Sequence, residues 1–134
     1  MIKRSDRDGI LHQVVEHGGI LYLAGVVADD DSLDMYGQTK QALASLDALL
    51  KKHGSGRDRV LRVTNYITDM SKKPELNRAW TEYFAAAHLP SRATIGVGDL
   101  TGNILIELVA TAVVGGRKKA AAPKRKVAPR RSRR

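Results

Sequence analysis

A carboxylate in the middle of an apolar strand is the most informative feature of this sequence. Residues 104–113 read Ile-Leu-Ile-Glu-Leu-Val-Ala-Thr-Ala-Val. Strand alternation places Ile104, Ile106, Leu108, Ala110 and Ala112 on one face, with Leu105, Glu107, Val109, Thr111 and Val113 on the other. Burying an unpaired charge there is costly, so Glu107 requires a partner, a water-filled site or a raised pKa. Arg92 is the obvious partner. If 92–97 and 104–113 form a hairpin around a Gly98–Asn103 turn, a symmetric register opposes Arg92 to about Val109. Glu107 is then a same-face diagonal neighbour, roughly 7–8 Å away by Cβ. A one-residue slip would put the two on opposite faces. Two readings of the pair stand side by side: a structural ion pair, or a functional one. A guanidinium grips a carboxylate bidentately and stays charged, and a carboxylate beside a water can act as a general base.

Positioning these groups falls to a simple series of elements. Gln13–Glu16 and Ile20–Val26 read as strands joined at Gly18-Gly19, where glycine reaches positive φ without steric cost. A helix is expected from Leu33 or Asp34 to His53, because Thr39, Leu43, Leu46 and Leu50 recur at helical spacing. Lys51 and Lys52 complement the dipole at its end, and Gly54 suits the C′ position. Val60–Thr68 favours a strand. A second helix starts at Pro74, with Trp80, Tyr83 and Phe84 in its apolar stripe; their spacing makes them core residues rather than a stacking platform. Strands over 93–97 and 104–114 follow. The order β-β-α-β-α-β-β predicts an α+β domain, with two helices on one face of a mixed sheet and the other face left to be covered or polar.

Four stretches stand out: Gly18–Gly25, Gln38-Thr39 through Leu50, Val63-Thr64 through Met70 with Leu76-Asn77, and, the most specific, Pro90-Ser91-Arg92-Ala93-Thr94 with Ile106-Glu107-Leu108 downstream; the first two alone are weak. On these residues the sequence resembles the reactive intermediate deaminase (RidA, YjgF-like) family over roughly residues 10–114. The resemblance implies a chorismate-mutase-like fold and a homotrimer with its sites in clefts between subunits. It implies hydrolysis of 2-aminoacrylate and related enamines or imines to 2-keto acids and ammonia, with no metal or organic cofactor. The arginine matching Arg92 grips the substrate carboxylate in that family, the glutamate matching Glu107 positions or activates a water, and Asn77 matches an asparagine near the site. One departure stands out. Members with established deaminase activity usually carry Gly-Pro-Tyr before the first strand; here the segment is Ile10-Leu11-His12-Gln13, with Leu11 at the tyrosine position. His12 or His17 is the candidate replacement for that tyrosine's substrate contacts, an exposed or structural histidine being the commoner alternative.

Composition narrows the remaining classes. The 134 residues contain no cysteine, which excludes disulfides, thiolate metal sites and a cysteine nucleophile. The four histidines lack metal-ligand spacing, and Asp29-Asp30-Asp31 reads as a solvated loop. Charges in Met1–Asp8 rule out a secretory h-region there, and no apolar run approaches the roughly 20 residues of a membrane span. A cytoplasmic protein is the expectation.

The charge is unevenly divided. Residues 117–134 hold ten Lys and Arg and no Asp or Glu. Since the chain has 23 basic and 14 acidic residues, the first 116 carry 13 and 14 and are almost neutral. Residues 1–114 are therefore expected to form the domain and 115–134 a disordered basic tail. Lys118, Lys119, Lys124, Arg125, Lys126, Arg130 and Arg131 are its candidate nucleic-acid contacts, sequence-independent and salt-sensitive; a solubilising extension without a specific partner is the plainer reading. Besides the deaminase, two functions remain open: a noncatalytic family member binding a small carboxylate, and a nucleic-acid-associated protein acting through the tail.

Overall fold

The computed structural model describes residues 1–115. The basic segment, with the seven tail residues named above, lies outside the described residues apart from Gly115. Six strands and two α-helices are present: β1 (Lys3–Asp8), β2 (Leu11–His17), β3 (Ile20–Leu23), α1 (Met35–Lys52), β4 (Val60–Ile67), α2 (Lys73–Tyr83), β5 (Ser91–Gly96) and β6 (Ile106–Val113). The sheet order is β1-β2-β3-β6-β4-β5. Only β4 and β5 run parallel, with α2 connecting them.

Local chemistry explains the helices. Asp34 caps α1 by accepting from the Gly37 N–H at 2.8 Å. Thr39, Ala42, Leu43, Leu46 and Leu50 are its buried stripe. Gly54 follows at φ +77°, a left-handed conformation that a side chain would oppose. In α2 a proline occupies the first turn, and Leu76, Ala79 and Trp80 face inward. Both helices pack on one side of the sheet, where Val63, Ile67, Ile106 and Leu108 are fully buried. Among the described residues the opposite side carries no helix. Val109, Thr111 and Val113 are only half-buried there and Tyr22 is 50% exposed, so this is the uncovered face expected from the element order.

Two features depart from expectation. A further strand, β1, pairs with β2 through backbone bonds at the sheet edge. Its sequence, Lys-Arg-Ser-Asp-Arg-Asp, has no apolar alternation to announce it. It is tied down instead by Asp6, which holds positive φ and bonds both Lys52 and His53 at the end of α1. The Lys52 ammonium, and then His53, draw the Asp6 carboxyl below its ordinary value.

The second departure corrects the Arg92–Glu107 hairpin. β5 does not pair with β6; β4 lies between them, parallel to β5 and antiparallel to β6. The 97–105 connection crosses the end of β4 instead of turning tightly. Backbone bonds Val97 N to Ile67 O (2.9 Å) and Thr68 N to Leu105 O (3.1 Å) mark that crossing. Gln38 holds the connection in place. Fully buried, it donates to the carbonyls of Leu33 and Asn103 at 3.0 Å and accepts from the Leu105 N–H at 2.9 Å. A side-chain amide here does what a sheet ladder does elsewhere, satisfying backbone groups that would otherwise be buried without partners.

Removing it should be costly. Gln38→Leu is expected to destabilise the domain by about 2–4 kcal/mol, because the Leu105 N–H and two carbonyls lose their partners together. Urea unfolding would read this as a lowered midpoint at unchanged slope; a midpoint equal to wild type would show that the connection does not depend on Gln38.

Candidate functional site

Register decides where the two charges go. Arg92 is the partner of Val63 across β4–β5, and Glu107 the partner of Tyr66 across β4–β6. Val63 and Tyr66 are three residues apart on one strand and therefore face opposite ways. Arg92 lies on the helix side, at the edge strand, while Glu107 lies on the uncovered side. With β4 between them, their strands are separated by roughly 10 Å. Within one chain they neither form an ion pair nor share a ligand, so the same-face ion-pair geometry is not what this fold builds.

On the helix side, the Arg92 guanidinium sits over the Trp80 ring, 4.9 Å from its centroid. Burial lowers its pKa from the ordinary arginine value, yet it remains a cation at neutral pH. No hydrogen bond or ion pair joins it to another of the described residues. It is a half-buried positive charge, oriented by an indole, with its fork of donors unspent. Asn77 lies one turn before Trp80 on the same face of α2. The structure thus places Arg92 and Asn77 on the same side of the sheet.

Further polar groups share that side. Thr94 is two residues beyond Arg92 on the same face of β5, and its register partner on β4 is Asn65, which is fully buried. Asn65 Nδ2 and Oδ1, Thr94 Oγ1 and Asn77 Oδ1 are all buried without a hydrogen-bond partner among the described residues. Each such atom costs about 1–3 kcal/mol unless something supplies its missing bond. Sequence reasoning missed Asn65 and Thr94. Asn65 was detectable on the same ground as Glu107, as a polar residue inside an apolar strand alternation, Val63-x-Asn65-x-Ile67.

On the uncovered side, Glu107 is half-buried and makes no hydrogen bond or ion pair with the described residues. Its position is set by the backbone after β3. Val26 and Leu108 exchange two bonds of 2.8 and 2.9 Å, which lays Gly25 beneath the Glu107 side chain. A Cβ on Gly25 would overlap the Glu107 carboxylate. That residue is glycine because the carboxylate occupies the space a side chain would need.

His12 is not brought to Arg92. It sits in β2 opposite Arg7 of β1, and β3, β6 and β4 all intervene before β5. Alternation from buried Val14 also puts it on the helix side, away from Glu107. Leu11, at the tyrosine position, is 45% exposed at the start of β2. Among the described residues no cluster of three or more His, Asp or Glu could hold a metal ion, and no helix is long and apolar enough to cross a membrane.

Known proteins are similar to this chain in sequence and in fold. A RutC family protein of Haemophilus ducreyi is 38% identical over 114 residues, covering 85% of this chain and 97% of its own. The RutC family protein YoaB of Escherichia coli is 33% identical, covering 84% and 98%. Among solved structures, a Pseudomonas aeruginosa protein superposes with a TM-score of 0.80 at 30% identity, over 84% of this chain and 98% of its own. A YjgF family member from Neisseria meningitidis does so at 0.78 and 27% identity, over 84% and 94%. The family described as Endoribonuclease L-PSP matches residues 3–114, nearly the whole of the described domain. By that match and by its RutC and YjgF relatives, the chain belongs to the Endoribonuclease L-PSP family, the RidA/YjgF-like group.

Proposed function

We propose that the protein is a hydrolytic deaminase of reactive enamines and imines such as 2-aminoacrylate, working as a homotrimer without a cofactor. The observation that carries this reading is the pair of unspent charges, Arg92 and Glu107, on opposite faces of one sheet. A single chain cannot use them together. A second copy packed with its β5 edge against the uncovered face can bring its Arg92 to Glu107 of the first. The same packing buries the apolar side chains left on that face, which a domain this small has reason to do.

The chemistry follows from what each group offers. Arg92, held over Trp80, takes the substrate carboxylate bidentately. Asn77 and Thr94, on the same side, offer hydrogen bonds to the substrate's polar atoms. The C=N carbon is then presented to a water beside Glu107 of the neighbouring chain. The carboxylate accepts a proton as the water oxygen bonds to carbon, and the proton goes on to the nitrogen. The adduct's hydroxyl proton then passes through the same carboxylate to the amine as the C–N bond breaks, which releases ammonia and leaves the 2-keto acid. Imines are already electrophilic, so positioning supplies most of what the reaction needs. His12 has no place in a site so defined.

Imine generated in situ by a separate enzyme provides the test. Arg92→Ala is expected to lower kcat/KM roughly a hundredfold, as the loss of about 3 kcal/mol of charge-assisted bonding predicts. Arg92→Lys should recover little, since the fork is lost. No turnover by the wild-type protein, with a small 2-keto acid still bound, would instead favour a noncatalytic carboxylate-binding member of the family.

Mixed oligomers test the shared site. Arg92→Ala and Glu107→Gln chains, each inactive alone, should regain about a quarter of wild-type activity when unfolded and reassembled together at equal amounts. That is the fraction of interfaces receiving an intact arginine from one chain and an intact glutamate from the next. No recovery from a mixture that reassembles fully would place both groups in one subunit's site and reject this arrangement.

Gly25→Ala separates the carboxylate's position from the fold. The three atoms nearest the added methyl all belong to the flexible Glu107 side chain, so stability should change by less than about 1 kcal/mol. Turnover should nevertheless fall as far as in Glu107→Gln. Wild-type activity in Gly25→Ala would show that the carboxylate's placement does not matter.

A further inference from the structure

We infer that Asn65 and Thr94 form a selectivity pocket beside Arg92 that reads a hydroxyl on the third carbon of the bound 2-imino acid. The inference rests on Arg92 as the carboxylate grip of the proposed function, and not on the hydrolytic step. It begins with a residue that the fold does not need. Val63, Asn65 and Ile67 share the helix face of β4 by alternation, and all three are fully buried. Register sets Asn65 beside Leu108 of β6, itself fully buried, and beside Thr94 of β5. An apolar side chain of similar size would continue this core. The position instead holds an amide whose Nδ2 and Oδ1 both lack a partner among the described residues. Thr94 Oγ1 and Asn77 Oδ1 are buried and unpartnered as well. Buried amides ordinarily find partners, as Gln38 does. A polar group kept in a core at a cost in stability has its use in what binds there.

The unmet groups define the chemistry of the occupant. Asn65 Nδ2 donates, Asn65 Oδ1 and Asn77 Oδ1 accept, and the Thr94 hydroxyl does either. A carboxylate only accepts and would leave both carbonyls unmet. An ammonium only donates, and it would stand beside the Arg92 cation. A hydroxyl donates and accepts, carries no charge and is the smallest group that does both. Access comes from the sheet edge. β5 is the last strand of the sheet, and Arg92 and Thr94 on it are only half-buried. Thr94 lies two residues beyond Arg92 on the same face, roughly 7 Å along the strand. A small acid held by its carboxylate at Arg92 presents the substituent on its third carbon toward Thr94, with Asn65 on the neighbouring strand about 4.8 Å away. The ligand hydroxyl pairs with the Thr94 hydroxyl, and Thr94 in turn with the Asn65 amide, a chain in which each bond strengthens the next.

Two 2-keto acids of the same shape, 3-hydroxypyruvate and 2-oxobutanoate, test this without turnover. They differ only in a hydroxyl against a methyl, and titration calorimetry on the full chain reads their affinities. The wild-type protein should bind 3-hydroxypyruvate about tenfold more tightly than 2-oxobutanoate. Arg92→Ala should weaken both acids alike. Asn65→Leu and Thr94→Val nearly keep side-chain volume and remove the polar atoms, so each should bring the preference close to one. Asn65→Leu should also raise the thermal midpoint by about 4 °C or more, since an unpartnered amide leaves the core. A loss of selectivity joined to a gain in stability is the signature of a residue held for its ligand; a purely structural residue gives neither. Equal affinity of the wild-type protein for the two acids would overturn the inference and leave the Arg92 grip standing. Binding of neither acid would overturn that grip and this inference with it. A preference retained in both variants, or a lowered midpoint in Asn65→Leu, would place Asn65 among the structural groups and overturn the inference alone.

Discussion

The position of β4 is the constraint on which the rest of this structure depends. By pairing with β5 on one side and β6 on the other, it sends the two chemistry-bearing strands apart and gives their charged residues opposite faces. Nothing in the composition of either strand requires that outcome. It follows from a parallel β4–α2–β5 unit, which places β5 at the sheet edge, and from the long return that brings β6 back along the other side of β4. Once that topology is set, Arg92 and Glu107 are beyond each other's reach in one chain, and chemistry that needs both must come from an assembly.

Polar groups in the interior show where the fold is finished and where it is open. Gln38 is fully buried and bonded at both ends of its amide; Asn65 is fully buried and bonded at neither. The same functional group is a structural clamp in one place and a cost in the other. Asp47 belongs with Gln38. Burial pushes its carboxyl up, but the bond from Tyr83 and the neighbouring Lys51 and Arg57 outweigh this and hold it below its ordinary value. Gln38 and Asp47, between α1, α2 and the crossing connection, are thus satisfied within the chain. The unsatisfied polar groups gather on the Arg92 side of β4 and β5. A domain that satisfies its polar groups in one region and leaves several unpaired in another has a binding region by contrast, whatever the ligand.

Much of this was legible in the sequence, and the reasons for the failures are physical. Both helices were readable because they are long, periodic and punctuated by Asp34, Gly54 and Pro74, signals that do not depend on distant contacts. The odd residue Glu107 was readable because strand alternation is strict. β1 was not, because an edge strand paired on one side can be held by backbone bonds and a single anchoring carboxylate, Asp6, without any apolar pattern. The pairing of β5 was not readable either. Two strands joined by a nine-residue connection suggest a hairpin locally, and only the buried amide of Gln38, 65 residues away from Asn103 in the chain, reveals that the connection is held elsewhere. The family resemblance identified Arg92, Glu107 and Asn77 as residues, but the face each occupies is a property of register, which residue identity does not encode.

That distinction bears on the missing tyrosine. Leu11 lies at the start of β2, four strand positions from β5 in the sheet, so a tyrosine at this position could not reach Arg92 of its own chain either. Any contribution it makes in relatives must be delivered across an interface or toward Glu107. In the proposed assembly an exposed leucine here changes the entrance to the site while leaving the Arg92–Trp80 contact and the Gly25–Glu107 seat untouched. Arg92 and Glu107, the groups proposed to bind carboxylate and hold water, are placed by strand register and by one glycine. On the proposed reading a residue at this position lines the rim, where substrate size and polarity are discriminated, so leucine there bears first on which imine is accepted and only then on whether one is hydrolysed.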